Sequence, residues 1–359
     1  MVELQPSKLI VWVRFPSSAP TKGTFVKQKF LFLYFDGKVR LMKFLLPAAI
    51  ILFVLLSALT LTVYFAARYF FRFTILRKPT ATAENSNLSA NTNFKQHLPF
   101  IMERKAFITE DMKEDVWIHS FDNLRLHGTL IENNGSEKLV ICFHGYSSKG
   151  LNEYGAMAKF YFEEGLSLLI VDERNHGDSE GTYTGFGVLD RLDAEKWVGY
   201  AVERFGERVK IFLHGDSMGG ATVLMATGLD LPHNVKGVIA DCAFTSAFDV
   251  FSHILKRDYH IPKFPIMNVT EWVTKKKAGY GYKDVSTLDC VSKTDIPILF
   301  IHGDKDDFVP LWMSEKNYEV CSSPKKLLII KGADHAESYY VDTESYEAAV
   351  KEMIDTYMN

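Results

Sequence analysis

The chain has few of the features that mark metal-binding or nucleic-acid-binding proteins. Its four cysteines (Cys142, Cys242, Cys290 and Cys321) form no CxxC pair and no Cys/His cluster at zinc-ligand spacing. We therefore expect free thiols and no bound metal. Basic residues are not in excess, because 41 Lys and Arg stand against 44 Asp and Glu, for a formal net charge of -3. Phosphate backbones attract basic surfaces, so we expect no nucleic-acid partner.

One long stretch contains no charge at all. From Phe44 to Ala67 every residue is uncharged, and as a helix this stretch would be about 36 Å long against a hydrocarbon core of about 30 Å. A cleaved signal peptide is the alternative, but the run is longer than a usual signal core and no clean A-x-A site follows it. We expect an uncleaved single-pass anchor in the cell membrane. Basic residues after the run favour a cytoplasmic C-terminal domain, but charge alone leaves the membrane side open.

Residues 1–41 have an unusual composition for an arm that precedes an anchor. The stretch VRFPSSAP, residues 13–20, is what a transfer-RNA T-loop and acceptor strand would encode in one reading frame. Our hypothesis is that this arm is a mis-assigned start and that translation begins at Met42, in a bacterium. The alternative is a genuine, poorly structured arm.

The remaining chain divides into a linker and one large domain. We expect residues 42–78 to hold the anchor with its flanks and residues 79–99, rich in Thr, Asn, Ser and Ala, to form a polar tether, with neither segment entering the core. A domain then follows over residues 100–359. Short apolar runs alternate there with helical stretches, which predicts a mostly parallel sheet with helices on both faces. Six runs indicate its strands: KLVICF, LSLLIVD, VKIFLHG, VKGVIAD, IPILFIHG and KLLIIKG.

The stretch HGDSMGG, residues 214–220, follows one of these strands and precedes a helix of small residues. A Gly-x-Ser-x-Gly match alone is weak, but a strand before it and a helix after it are the context of a nucleophile elbow. A turn of this kind exposes the serine hydroxyl at a helix N-terminus, where negative charge is stabilised. The alternative is that Ser217 only caps the N-terminus of this helix. We expect Ser217 to be a nucleophile.

A serine nucleophile needs a base and an orienting acid, and two later strands end in suitable loops. One loop carries Asp304, Asp306 and Asp307, any of which fits the acid. The next carries His335. The chain order serine, aspartate, histidine is that of the α/β-hydrolase triad.

Over residues 100–359 the chain resembles the α/β-hydrolase superfamily, in particular its serine aminopeptidase-like and lysophospholipase-like branch, which includes membrane-anchored bacterial members. The family pattern H-G-x-x-D-x-x-V-P is matched by residues 302–310, which selects Asp306 as the acid. A G-x-x-H loop is matched by residues 332–335, and an H-G-x segment by residues 144–146. The resemblance implies an oxyanion hole made by the N–H groups of Tyr146 and Met218. It implies no metal and no organic cofactor.

Substrate class is the part that the sequence leaves most open. A small helical cap is expected over about residues 243–293, with Phe244 and Phe248 as candidate substrate contacts and Trp312 beside them. The alternative is that these aromatic residues only pack the cap. An apolar site next to a membrane anchor favours carboxylic esters, lipid-like or of short to medium acyl length. A serine peptidase on the same fold is the second hypothesis, and a non-catalytic tethered binding module the third.

Overall fold

The computed structural model describes residues 42–77 and 96–359 in full, and only the backbone of residues 3–5, 8–10, 23–41, 94 and 95. Residues 13–20, on which the mis-assigned-start hypothesis rests, lie outside the described residues. The chain forms two compact units, Met1–Thr62 and Val63–Asn359. The first contains an antiparallel pair of short strands, β1 (Glu3–Gln5) and β2 (Lys8–Ile10).

A single long helix, α1 (Gly23–Thr74), contains the charge-free run. Its Met42–Thr74 part has a mean hydropathy of 2.6 in the most apolar window, and none of that window is buried. A core helix of a soluble domain would bury its apolar side chains. By length and composition the helix is able to cross a membrane, as the sequence predicts.

The second unit is built on an eight-stranded sheet in the order β10-β9-β8-β7-β5-β6-β4-β3. All neighbouring pairs are parallel except the two that β4 forms, with β3 and with β6. The predicted mostly parallel sheet is therefore confirmed, including the six apolar runs. The strands are β3 (Glu114–His119), β4 (Arg125–Ile131), β5 (Lys138–Phe143), β6 (Ser167–Val171), β7 (Lys210–Asp216), β8 (Val235–Asp241), β9 (Ile298–Gly303) and β10 (Lys325–Ile330).

Helices cover both faces of this sheet, because the strands are apolar on both sides. One buried cluster joins a face of the sheet to α5 and α6, and another joins the opposite face to α4 and α12. Helices α7 to α9 lie within the expected cap, residues 243–293. The helices after α1 are α2 (Leu98–Lys105), α3 (Gly150–Tyr154), α4 (Ala158–Glu163), α5 (Asp190–Phe205), α6 (Met218–Ala226), α7 (Ala247–Tyr259), α8 (Ile266–Ala278), α9 (Thr287–Val291), α10 (Trp312–Val320), α11 (Ser338–Val341) and α12 (Thr343–Tyr357).

The last turns of α1 belong to the second unit, which differs from the expectation that the anchor and its flanks stay outside the core. Phe70, Phe71 and Ile75 are buried in a third apolar cluster together with cap residues. Backbone hydrogen bonds continue the contact, from Thr184 N–H to the Ile75 carbonyl at 2.8 Å and from Arg77 N–H to the Thr182 carbonyl at 3.3 Å. Apolar residues recur along this end of α1 at helical spacing, so one face of the helix packs against the cap.

We expect Ile75→Ala to destabilise the second unit by about 2–5 kcal/mol, because the side chain is 0% exposed and its loss leaves a cavity. The matched control is Phe65→Ala, since Phe65 lies in the same unit but is 64% exposed. Denaturant unfolding of the full chain in detergent micelles measures both. Equal stability of the two variants would show that the end of α1 contributes nothing to the fold.

Candidate active site

Ser217 lies in a strained turn between β7 and α6. Its φ of 53° and ψ of -108° are unusual for a residue with a side chain. The flanking glycines permit the turn, since a Cβ at Gly215 would lie 2.1 Å from the Gly219 carbonyl oxygen and one at Gly219 would lie 1.9 Å from the Phe143 carbonyl oxygen. Ser217 N–H donates to the Asp241 carbonyl at 2.9 Å, which fixes the turn to β8. This is the geometry expected of a nucleophile elbow.

The structure brings the three predicted catalytic side chains into one hydrogen-bonded row. Ser217 Oγ lies 2.9 Å from His335 Nε2, and His335 Nδ1 lies 2.7 Å from Asp306 Oδ2. All three residues are buried. This row is the arrangement in which a histidine can take the serine proton while a carboxylate orients the ring.

Among the three candidate aspartates, only Asp306 faces the histidine. Its Oδ1 accepts hydrogen bonds from the N–H groups of Phe308 at 3.0 Å and Val309 at 2.8 Å, so the carboxylate is fixed while Oδ2 meets His335. Asp304 instead accepts from Gly332 N–H at 2.6 Å, and Asp307 is exposed. The geometry therefore agrees with the choice that the family resemblance implies.

Electrostatic interactions in this row stabilise an imidazolium. Burial by itself raises the pKa of Asp306, but the charge of His335 and hydrogen bonds from His302 and His335 outweigh it and hold that pKa well below its usual range. Burial by itself lowers the pKa of His335, yet the Asp306 carboxylate outweighs it, with smaller contributions from Asp241 and Glu153, so the pKa is raised. The positive charge that His335 acquires during proton transfer is therefore favoured.

This shift predicts the direction of the pH dependence. A general base acts in its neutral form, so activity should be lost as the pH falls through the pKa of His335. Because that pKa is raised above 6.5, we expect half-maximal kcat/KM above pH 6.5, with one proton taken up on the acid side. A pH profile of kcat/KM on a soluble ester measures it. A midpoint below 6.5 would show that the Asp306 carboxylate does not dominate the site.

Three acids near the nucleophile were not predicted from the sequence, of which Asp216 and Asp241 are buried and Glu153 is half-buried. Burial raises the pKa of Glu153, Asp216 and Asp241, in the last case to about 6. Glu153 accepts the Gly145 N–H at 3.0 Å, and Asp241 accepts the Ser338 hydroxyl at 3.1 Å. Asp216 is within the HGDSMGG motif, but nothing in that motif distinguishes a buried acid from an exposed one.

The two predicted oxyanion donors follow two neighbouring strands of the sheet, β7 and β5. Met218 begins α6 directly after the nucleophile, and Tyr146 lies in the loop that follows β5. The Tyr146 hydroxyl donates to the Phe73 carbonyl in the last turn of α1 at 3.2 Å, and its ring lies 5.1 Å from that of Phe186. The candidate oxyanion loop is thus attached to the end of the anchor helix.

The candidate substrate residues separate into two groups. Phe244 and Phe248 are buried in the same apolar cluster as Met218, the residue that follows the nucleophile. Trp312 does not join that cluster within the described part of the chain. It is 39% exposed, and the Lys316 ammonium lies 4.8 Å from its ring. Its neighbour Met313 packs inward instead, because residues that follow each other in a helix point in different directions.

Phe308 is a further neighbour of the triad that the sequence analysis missed. Its ring centroid lies 4.9 Å from that of His335. The residue directly follows the exposed Asp307 in an acidic loop, and a single aromatic residue in such a loop carries no periodic signal. Its position beside the imidazole helps to exclude water from the row.

Two groups of side chains have ligand atoms close enough together to hold a metal ion among the described residues. One group consists of Cys242, Asp306 and His335. Burial raises the pKa of the Cys242 thiol, and Asp306 and His335 are hydrogen-bonded to each other. In the second group, His127 Nδ1 lies 2.8 Å from Asp172 Oδ2, and the Lys149 ammonium binds Asp178. Both groups are satisfied as hydrogen-bonded networks.

The chain is similar to several known proteins. The profile of the prolyl oligopeptidase family matches residues 185–355. The uncharacterized protein YqkD of Bacillus subtilis is 30% identical over 254 residues, which cover 71% of this chain and 80% of YqkD. An uncharacterized membrane protein of Saccharomyces cerevisiae is 27% identical over 267 residues, 72% of this chain and 82% of its own length.

Solved structures share the fold. In two crystal forms, the Pyrococcus furiosus esterase Pf2001 superposes with TM-scores of 0.60 and 0.56 at 22% and 25% identity. The superpositions cover 80% and 69% of this chain and 99% and 93% of the esterase. The sheet and its covering helices therefore share the fold of this esterase.

Proposed function

This chain belongs to the α/β-hydrolase family that includes YqkD, and we propose that it cleaves carboxylic esters through an acyl-enzyme intermediate while anchored in the cell membrane by residues 44–67. The observation that carries the proposal is the row Ser217, His335 and Asp306 at a strained elbow. A binding module would have no need of a strained nucleophile turn. The likeness to a yeast membrane protein supports the anchor.

The chemistry follows from the row. Ser217 Oγ attacks the ester carbonyl as its proton passes to His335 Nε2, and Asp306 stabilises the imidazolium. The N–H groups of Met218 and Tyr146 donate to the oxyanion. Protonated His335 then gives its proton to the departing alcohol, which leaves an acyl group on Ser217. Water, deprotonated by His335, releases the acid and restores the serine.

A fluorophosphonate probe tests the reaction class directly, since it reacts with an activated serine and not with an ordinary one. We expect the full chain in detergent to be labelled on Ser217. Absence of labelling under conditions where a known esterase reacts would favour the tethered binding module.

Ester substrates are favoured by the apolar surroundings of the nucleophile. Phe244 and Phe248 belong to the buried apolar cluster that includes Met218, and Phe248 is only 8% exposed. An apolar acyl group gains free energy from contact with side chains of this kind. The peptidase remains the second candidate because of the match to the prolyl oligopeptidase family.

We expect p-nitrophenyl esters to be hydrolysed and aminoacyl amides to remain nearly uncleaved. Each methylene buried in an apolar pocket contributes about 0.8 kcal/mol, so kcat/KM should rise about fourfold per CH₂ until the pocket is full. Because the two phenylalanines are packed tightly, the optimum should fall at short to medium chains. Initial rates across a chain-length series measure this. Amides cleaved as fast as esters would favour the peptidase.

A further inference from the structure

The last turn of α7 and the loop that follows it carry exposed aromatic and basic side chains. We call residues 256–264, KRDYHIPKF, the cap tip. Phe264 is 71% exposed and Tyr259 is 44% exposed. Lys256, Arg257 and Lys263 outnumber the single acid, Asp258. Isolated exposed aromatic side chains are common in proteins, so the location of the cap tip decides whether these side chains point to a function.

Helix α7, whose last turn belongs to the cap tip, packs against the end of α1 within the second unit. The rings of Phe70 in α1 and Phe251 in α7 meet edge to face at 5.6 Å. Tyr64 of α1 and Ile261 of the cap tip pack against the same apolar cluster. Burial raises the pKa of Tyr259, and Tyr69 of α1 raises it further.

The depth of this contact along α1 is informative. The charge-free run ends at Ala67, and Tyr64 lies one turn before that end. A helix of that run is about 36 Å long against a hydrocarbon core of about 30 Å, so its last residues reach the headgroup layer. The apolar cluster against which Ile261 of the cap tip packs extends along α1 to Tyr64, near the end of the run that meets that layer.

We propose that the cap tip is a second membrane contact, which places Tyr259 and Phe264 in the headgroup region of the leaflet that the anchor leaves. The proposal rests on the proposed membrane anchor. Aromatic rings and basic side chains are the composition that membrane interfaces favour. The net positive charge of the cap tip matches a lipid surface with anionic headgroups.

The cap tip is also directly connected to the catalytic loop. Arg257 Nη1 donates to the Asp307 carbonyl at 2.7 Å, and its guanidinium lies 5.3 Å from the Phe308 ring. Phe308 in turn contacts the His335 ring. A lipid ester in this leaflet would therefore meet the protein close to the triad.

A fluorescent label at the cap tip tests the contact. The four native cysteines are buried, so a nitrobenzoxadiazole label on Lys263→Cys reports that position, with the unsubstituted chain as the background. The matched control is Arg208→Cys, which removes the same charge from an exposed site just before β7, at the end of that strand opposite to the nucleophile turn. Both full-length variants are placed in phosphatidylcholine–phosphatidylglycerol vesicles.

We expect the label at 263 to emit at shorter wavelength than the label at 208 and to be quenched at least about twofold by phospholipids with a nitroxide near the headgroup. Equal emission and no quenching at 263 would overturn the proposal. This readout needs no enzymatic activity, so it is independent of the ester hypothesis and fails separately from it.

A second variant links the contact to substrate access. Tyr259→Asp combined with Phe264→Asp should lower hydrolysis of a vesicle-embedded ester by about tenfold and leave a water-soluble ester unaffected. Circular dichroism and the soluble-ester rate verify that the variant is folded. Unchanged hydrolysis of the embedded ester would contradict a role of the cap tip at the membrane.

Discussion

Ser217→Ala should abolish ester hydrolysis, with a loss in kcat of at least about 10⁴-fold, and should abolish fluorophosphonate labelling. The hydroxyl supplies the bond-forming oxygen, and no other described group lies in its place beside His335 Nε2. The fold should be retained, because alanine keeps the Cβ that the turn already accommodates and loses only one hydrogen bond. Burst kinetics with a p-nitrophenyl ester and probe labelling measure the loss.

The matched control is Ser292→Ala, since Ser292 is exposed and its hydroxyl donates only to the Asp289 carbonyl. It should keep full labelling and full activity. If Ser217→Ala kept its activity, another residue would have to be the nucleophile, and the hydrogen-bonded row would be structural.

The second large effect concerns the acid. Asp306→Asn should lower kcat by about 10⁴-fold. The asparagine oxygen can still accept from the Phe308 and Val309 N–H groups, so its amide N–H₂ would then face His335 Nδ1. A donor at that position forces the proton of the imidazole onto Nε2. A protonated Nε2 can no longer accept the serine proton.

Asp307→Asn is the matched control for this variant. Asp307 is exposed, and it contacts the cap through its carbonyl oxygen, which accepts from His253 and Arg257. Its side-chain charge should therefore matter by no more than about twofold. If Asp307→Asn lowered kcat more than Asp306→Asn, the acid of the triad would be Asp307.

The fold was predictable because its signals are local. Each strand of the parallel core is a short run of Val, Ile and Leu, and each can be recognised without knowledge of its neighbours. The nucleophile turn was predictable for the same reason, since the glycines at 215 and 219 meet backbone atoms that any such turn would bring close. Choosing among three aspartates required the family pattern, because residues 304–307 give each of them the same local context.

Burial of acids was the part that local signals could not supply. Glu153 and Asp241 are distant in sequence from His335, and each becomes relevant only through the folded sheet. The packing of Phe70, Phe71 and Ile75 was different, since their helical spacing was visible in the sequence. The continuous apolar run before them conceals this spacing, because a lipid-facing helix and a protein-facing helix are both apolar.

The way α1 ends restricts how this protein can be rearranged. A catalytic domain on a flexible linker can be moved to another anchor, because the linker contributes only length. Here the segment from Tyr64 to Arg77 supplies buried side chains to the cap core and a carbonyl to the Tyr146 hydroxyl. A chimera that exchanges the membrane helix must therefore keep this segment, and a successful junction lies before Val63.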